Sequence, residues 1–332
     1  MRSQKVSFLA CRVFKEADIK HQLVQMETDE LSAGDTLIKV DYSSINYKDA
    51  LAASGRGAIL KSFPLNAGID LAGTVVESSN QKFSVGEDVL VNGCGLGESF
   101  DGGLAQYARV DSRFVMKQPE HYSGRESMII GTAGFTAALA IHRMEVNGQT
   151  PDKGPIVVTG ASGGVGSFAI NLLSKKGYDT IAITSQQSMH DYLKDLGATE
   201  VKTLSEMELS DKPMAKGLYG GLIDNIGGET LSKLMANIDL WGNIACIGLA
   251  QSPTLNATVI PLILRGVSLL GVSSTNCPME LRKKLWNQFG KESPLPDFEK
   301  ILSKEIALKE VSPYFDELID NKHRGRLLVN CQ

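Results

Sequence analysis

Short apolar runs bounded by glycine and other turn formers dominate the first 124 residues, among them residues 36–40, 72–77 and 88–91. Runs of that length, with few stretches at helical spacing, predict a small barrel-like β domain. From about residue 125 the pattern changes to apolar strands alternating with amphipathic helices, as in a parallel sheet covered on both faces. Residues 156–160 form a β-branched run. In 165–176, Val165, Ala169, Leu172 and Leu173 recur at helical spacing, Lys175 and Lys176 sit in the last turn, and Gly177 supplies the stop. A strand at 180–184 follows, then a helix that Ser188 would cap and Gly197 would end. Further strands are expected at 222–226, 243–247 and 267–273, with a helix at 230–237. This is the pattern of a doubly wound sheet.

Prolines at 278, 294, 296 and 313 interrupt the later sequence, which ends in an apolar run at 326–330 suited to a strand that returns to the β domain. The expected division is therefore 1–124 with 267–332 in one domain, and 125–266 in the other. A length of 332 residues suits two domains better than one core.

Composition narrows the function. With 42% hydrophobic and 22% charged residues the chain can bury a core. A net charge of −4 without a block of five like charges argues against nucleic-acid and anionic-membrane partners. The first thirty residues hold no apolar run long enough for a signal peptide or a membrane helix, so a cytoplasmic protein is expected. Cys11, Cys94, Cys246, Cys277 and Cys331 are scattered and odd in number. No two stand at metal-ligand spacing, so reduced thiols and no metal are expected.

The sharpest local signal is Ile156-Val-Val-Thr-Gly-Ala-Ser-Gly-Gly-Val-Gly166, where an apolar strand runs through glycines directly into a helix. Gly163 would let the backbone approach a pyrophosphate and Gly166 would let the helix pack on the strand, while the helix N-terminus offers free amides to the anion. An NAD enzyme would place Asp or Glu about twenty residues further on, for the ribose 2′-hydroxyl. Here the sequence is Thr184-Ser185-Gln186-Gln187. Without that carboxylate a 2′-phosphate meets no repulsion and finds neutral donors, which favours NADPH. The same residues also suit a simple turn and cap before the next helix.

Several strings resemble one family closely: Ser44-Ile-Asn-Tyr-Lys-Asp-Ala-Leu51, Gly68-Ile-Asp-Leu-Ala-Gly-Thr-Val75, Ile130-Gly-Thr-Ala-Gly-Phe-Thr-Ala-Ala138, the glycine loop, and His323-Arg-Gly-Arg326. Together they look like the medium-chain dehydrogenase/reductase superfamily, in its acryloyl-CoA reductase/quinone oxidoreductase branch. The resemblance implies a GroES-like β-rich catalytic domain plus a Rossmann domain, an α/β fold overall. Zinc alcohol dehydrogenases of the superfamily carry Gly-His-Glu and an early ligand cysteine. Here the places read Gly68-Ile69-Asp70 and Ser43-Ser-Ile-Asn-Tyr-Lys-Asp49, so no metal is implied.

The branch further implies NADPH dependence, a homodimer joined through the strand at 267–272, and reduction of acryloyl-CoA to propanoyl-CoA. Carried over residue by residue, Tyr47 meets the cofactor near the nicotinamide, and Ser162, Gly163, Gly164 and Val165 form the pyrophosphate loop. Leu249, Ile263, Ser274 and Asn321 match further cofactor-lining positions. Many relatives have Ser-Gly-Arg where this chain has Thr184-Ser185-Gln186. The missing arginine removes a charge-assisted phosphate contact worth about 1.5 to 3 kcal/mol, which relaxes cofactor choice.

Enoyl thioester reduction needs hydride at the β-carbon, stabilisation of the enolate oxygen and a proton at the α-carbon. Asn46 and Tyr47 are the candidates to position the substrate, with Tyr47 or an ordered water as proton donor. Packing and loop-fixing roles compete with these; Asp49 could orient Tyr47 or Lys48, with an exposed ion-pair or helix-start residue as the favoured reading. Arg324 and Arg326 could meet coenzyme A phosphates or form a solvated pair. Asp224-Asn225-Ile226-Gly227 ends a strand and either borders the nicotinamide or serves turn chemistry. The five histidines share no catalytic spacing. The same site could reduce quinones or small enones, and a non-catalytic NADPH-binding sensor is the alternative of another class.

Overall fold

A computed structural model describes residues 5–207, 209–289, 291 and 295–332; residues 1–4 and Pro294 lie outside them. The chain divides into two compact units. One takes the residues up to Thr132 with Thr275–Asn287 and Leu302–Gln332, and the other takes Ala133–Ser274 and Gln288–Ile301. The division thus departs from the expected boundaries at 124 and 267. Residues 268–271 pair in the parallel sheet of the second unit. Asp297, further on, accepts hydrogen bonds from Asn171 (2.8 Å) and Lys175 (2.7 Å) of the same unit.

In chain order the first unit opens with β1 (Ser7–Lys15), β2 (Ile19–Glu27), β3 (Thr36–Ile45), helix α1 (Tyr47–Ser54), β4 (Leu65–Asn66), β5 (Asp70–Ser78), β6 (Asp88–Asn92), β7 (Tyr107–Val110) and β8 (Met116–Lys117). The predicted runs at 36–40, 72–77 and 88–91 lie in β3, β5 and β6. The hairpin β1–β2 escaped sequence reading because β2 is half-exposed along most of its length and shows no clean alternation. Helix α2 (Gly124–Val146) follows and is broken at Gly131, whose φ of 47° and ψ of −156° leave the helical region.

The second unit continues with β9 (Ile156–Val158), α3 (Gly164–Lys175), β10 (Thr180–Ile183), α4 (His190–Asp195), β11 (Glu200–Lys202), β12 (Tyr219–Asp224), α5 (Gly228–Met235), β13 (Ile238–Cys246), α6 (Ile260–Leu264) and β14 (Ser268–Gly271). Its strands run parallel in the order β11-β10-β9-β12-β13-β14. In sequence rank that is 3-2-1-4-5-6, the doubly wound order with its switch point between β9 and β12. Ile156, Val157 and Val158 are wholly buried, as a central strand requires. Val157, Leu222 and Ile244 pack with Leu231 and Leu234 of α5. Ser188 does not cap a helix: it lies in a 3-10 turn, Gln187–Met189, ahead of α4.

The tail supplies α7 (Met279–Gln288), α8 (Phe298–Ile301), β15 (Leu302–Ala307), α9 (Ser312–Ile319) and β16 (Arg326–Asn330). β16 pairs antiparallel with β3, and the first unit's larger sheet runs β15-β16-β3-β5-β6-β8 with β7 on β3. Leu327 and Val329 thereby join Val40, Leu71, Val89 and Val91 in one core. Each such side chain contributes about 1.5 to 3 kcal/mol through burial, so the C-terminal strand belongs to the β unit's stability.

Candidate active site

In the second unit, residues 159–163 make the whole turn from β9 into α3. Gly160 stands at φ +56°, and the Gly163 amide donates to its carbonyl at 3.1 Å. Gly163 caps α3 without a side-chain partner, and no acidic residue occupies the first turn. The leading amides of that turn therefore have no intrahelical acceptor and present positive partial charge to an anion. A Cβ on Gly166 would lie 2.4 Å from the Gly160 carbonyl oxygen, so helix and turn are as close as bare backbone allows. At Gly163 the nearest atom would be 3.4 Å away. Packing inside the protein does not demand glycine there, whereas the approach of a phosphate would.

Ser162, Gly163, Gly164 and Val165 thus form one amide-lined turn. Beside it, the Ala161 amide donates to Ile183 at 3.1 Å, which ties the turn to the end of β10. There Thr184 is buried, its amide donating to Lys202 at 3.0 Å, and its hydroxyl accepts from the Gln186 amide at 3.2 Å. Ser185 is exposed and Gln186 half-buried. No carboxylate occurs from Thr184 to Met189. A glycine cradle, free helix amides and neutral donors at the second strand suit a dinucleotide with a phosphorylated ribose.

At the end of β12 Asp224 is wholly buried, accepting from Thr159 Oγ1 and the Gly227 amide, each at 2.8 Å; burial raises its pKa. It braces the two turns at the switch point. Leu249 lies beyond β13, 62% exposed, and the Gln251 amide two residues on donates to Ile226 at 2.8 Å. Ile263 is 72% exposed on α6. That helix leads into Arg265, which donates to Ala236 and Ile238 near the start of β13, so none of these contacts brings Ile263 to the glycine turn before α3. Ser274, half-buried, ends its segment of this unit.

Asn46, Tyr47 and Asn321 belong to the first unit. Tyr47 is the first residue of α1 and is 40% exposed. Asn321, also exposed, follows α9 in a left-handed conformation, φ +54°. Asn46 is buried, and its side chain is engaged within the protein. Its Nδ2 donates to Asp70 Oδ2 at 2.7 Å and to Asp49 Oδ2 at 3.3 Å, and its Oδ1 accepts from Arg326 Nη1 at 3.0 Å. Those bonds engage both ends of the side-chain amide and fix the loop ahead of α1.

Asp49 is also fully buried, which corrects the exposed ion-pair expectation and leaves the helix-start role. Its carboxylate accepts from the Asn46 amide at 2.8 Å and the Ile69 amide at 3.0 Å. Burial pushes its pKa up to about 7.

Asp70 is the centre of this cluster. Its carboxylate accepts from Ser44 Oγ (2.8 Å), Asn46 Nδ2 (2.7 Å), the Thr132 amide (2.8 Å) and Thr132 Oγ1 (2.6 Å), and Arg326 Nη2 stands 3.8 Å away. Arg326 is 2% exposed. It donates to Ile129 O (2.9 Å), Asn46 Oδ1 (3.0 Å) and Ser44 Oγ (2.7 Å), which removes it as a coenzyme A phosphate ligand. Arg324, two residues earlier, is exposed. Beside Tyr47, Lys48 Nζ donates to Glu98 (2.7 Å) and Thr275 (2.8 Å). Sequence reading passed over Asp70 as a functional residue. Its signal was a carboxylate opening an apolar strand, matched by an arginine opening another.

A catalytic zinc does not fit these residues. At the position of the zinc enzymes' Gly-His-Glu motif, Ile69 has no donor side chain and the Asp70 carboxylate is occupied by four hydrogen bonds. Among the described residues no group of three or more His, Cys, Asp or Glu is placed to hold a metal ion. Likewise none of the described helices is long and apolar enough to cross a membrane.

Two family models match: the "Alcohol dehydrogenase GroES-like domain" over residues 32–120 and the "Zinc-binding dehydrogenase" over residues 164–290. They define the class, a medium-chain dehydrogenase/reductase with a GroES-like and a Rossmann domain. The chain is 43% identical over 304 residues to the "Probable acrylyl-CoA reductase AcuI" of Escherichia coli (strain K12), covering 92% of this chain and 93% of that one. It is 41% identical over 326 residues to the "Putative quinone oxidoreductase YhfP" of Bacillus subtilis (strain 168), covering 97% and 98%. Two solved structures are similar throughout. E. coli K-12 YhdH with bound NADPH superposes at a TM-score of 0.93, with 40% identity over 97% of this chain and all of that one. YhfP with NAD bound superposes at 0.94, with 41% identity over 98% and 99%. The chain belongs to the acrylyl-CoA reductase/quinone oxidoreductase family of this superfamily and is an oxidoreductase.

Proposed function

We propose that this protein is an NADPH-dependent reductase of short 2-enoyl-CoA thioesters, acting on acryloyl-CoA to give propanoyl-CoA. The observation that carries the cofactor choice is the amide-lined turn at Ser162–Val165 beside a second strand that ends without a carboxylate. The relative named as binding NADPH supports it; the one holding NAD is consistent with Gln186 standing where an arginine would enforce the choice. The acryloyl-CoA reading rests on the name of the relative at 43% identity.

NADPH, when bound, supplies the hydride for the β-carbon of the substrate. The amides at the start of α3 hold the pyrophosphate, and Thr184, Ser185 and Gln186 offer neutral donors to the 2′-phosphate. Leu249, Ile263, Ser274 and Asn321 are proposed as further cofactor contacts on the resemblance; for Ile263 the placement of α6 gives no support. Tyr47, exposed at the start of α1, presents the hydroxyl that protonates the α-carbon or orders a water to do so. Asn46 fixes the turn that presents it. A second reading, reduction of quinones or enones, is favoured by the name of the 41%-identical relative and needs the same hydride and the same residues.

The test is the initial rate of NADPH oxidation by chelator-treated protein with acryloyl-CoA, with a small quinone and with NADH as comparison arms. Turnover that requires the thioester supports the proposal; turnover with quinone alone moves it to the second reading; cofactor binding without turnover on any acceptor rejects both. We also propose a homodimer joined through β14, which ends the second unit's sheet and exposes Leu269. A monomeric mass by light scattering would refute that.

A further inference from the structure

We infer that Asp70 and Arg326 are positioning residues for the reductase reaction, acting through Asn46 on the start of α1 and so on Tyr47. The inference rests on the reading of Tyr47 given above. Asp70 receives four hydrogen bonds from three separate segments: Ser44 at the end of β3, Asn46 ahead of α1, and Thr132 just past the break in α2. Arg326 binds the other side of the same groups, meeting Ser44 Oγ and Asn46 Oδ1 and the carbonyl of Ile129 just before the break. Asn46 is therefore gripped at both ends of its amide, the nitrogen by the carboxylate and the oxygen by the guanidinium.

The amide cannot rotate without placing donor against donor and acceptor against acceptor. With the side chain of Asn46 fixed and its backbone amide held by Asp49, the direction in which α1 departs is set, and Tyr47 is the next residue. The alignment of Tyr47 thus depends on a pair of charges that need not touch substrate.

Stability alone does not explain the pair. Buried ion pairs give little net stabilisation after desolvation, and apolar residues of similar volume commonly hold a joint as well or better. Apolar contacts lack the directionality to fix an amide plane. Gly131 shows how closely the cluster is built: a Cβ there would stand 2.5 Å from Arg326 Nη2 and 2.7 Å from Asp70 Oδ2. Lys48, held by Glu98 and Thr275, secures the next residue of the helix, so Tyr47 sits between two anchored neighbours.

The test is a double-mutant cycle on the full chain with NADPH and acryloyl-CoA, or with whichever acceptor the wild type turns over. Asp70→Asn removes the counter-charge of Arg326 and risks unfolding. Asn46→Ala, which leaves Asp70 and Arg326 facing each other, is therefore run beside it, each variant being scored for folding by circular dichroism. Expected for either folded variant is a fall in kcat of roughly ten- to hundredfold, while the NADPH dissociation constant, read from cofactor fluorescence, stays near wild type. In a Tyr47→Phe background the same substitution should cost much less, because the group it positions is already gone.

Full additivity with Tyr47→Phe, or a wild-type kcat in folded Asn46→Ala, overturns the positioning role. A wild-type kcat for Tyr47→Phe itself sinks the Tyr47 reading and the inference built on it. A merely structural role would lower the melting temperature and leave the coupling with Tyr47 at zero.

Discussion

Gly131→Ala is the perturbation whose cost can be built most directly from the geometry. The residue sits at φ 47° and ψ −156°, a region that residues with a Cβ rarely enter. Adopting it costs an alanine on the order of 1 to 3 kcal/mol. The added Cβ would then press on Arg326 Nη2 at 2.5 Å, Asp70 Oδ2 at 2.7 Å and Ser44 Oγ at 2.9 Å. Each of these atoms is a side-chain end, yet each is already held by hydrogen bonds in a buried cluster. Making room means breaking or stretching those bonds, about 1 to 3 kcal/mol more for overpacking in a filled interior.

A total of about 2 to 6 kcal/mol is expected from these two contributions. Gly86→Ala in the same unit is the control: Gly86 stands at φ +89° with nothing within 4 Å of an added methyl, so it meets the backbone cost alone. The assay is urea denaturation followed by the emission of Trp286, which is 1% exposed in the first unit. It is carried out in a Trp241→Phe background, because Trp241, 70% exposed, would mask the signal. Gly131→Ala should unfold at clearly lower urea than Gly86→Ala. Equal midpoints would show that the cluster yields freely and would refute the claim that it is tightly built.

Three further outcomes are expected. Gly163→Ala should keep wild-type stability, since the new methyl meets only an ordinary 3.4 Å contact, and yet weaken NADPH binding by tenfold or so, as read by fluorescence titration; unchanged affinity would mean that no phosphate approaches that backbone. Gln186→Arg should raise the preference for NADPH over NADH by roughly 10- to 100-fold through a charge-assisted phosphate contact, measured as the ratio of kcat/KM values; an unmoved ratio would place the ribose phosphate elsewhere. For Asp49, burial lifts the folded-state pKa to about 7, above the unfolded carboxylate near 4. The folded chain therefore holds a proton that the unfolded chain has released across that window, and stability falls as pH rises from about 4 to 7. Asp49→Asn should lose that contribution to the slope, so that its urea midpoint gains on the wild type between pH 5 and pH 7.5, by a few kcal/mol at most; a constant difference would refute the assignment.

Sequence alone determined the parts of this protein that are local in the chain. The strand–glycine–helix succession at residues 156–176 was legible because every element of it is a neighbour of the next, and glycine, apolar period and helix stop each act over a few residues. The missing carboxylate after β10 was legible for the same reason. The apolar run at 326–330 was readable as a strand returning to the β domain, and it pairs there with β3.

Tertiary structure decided what long-range burial creates. Asp49 and Arg326 read as surface charges until folding enclosed them, and Arg326 meets Ser44 across 282 positions of sequence. The division of the tail between two units likewise depends on Asp297 meeting Asn171 and Lys175, more than a hundred positions away. Local sequence fixes backbone preference and amphipathic period, whereas the worth of a charge depends on which partners arrive around it. Asn46 shows both: its place ahead of a helix could be read from neighbouring residues, but only the assembled cluster turns it from a candidate substrate contact into the support of Tyr47.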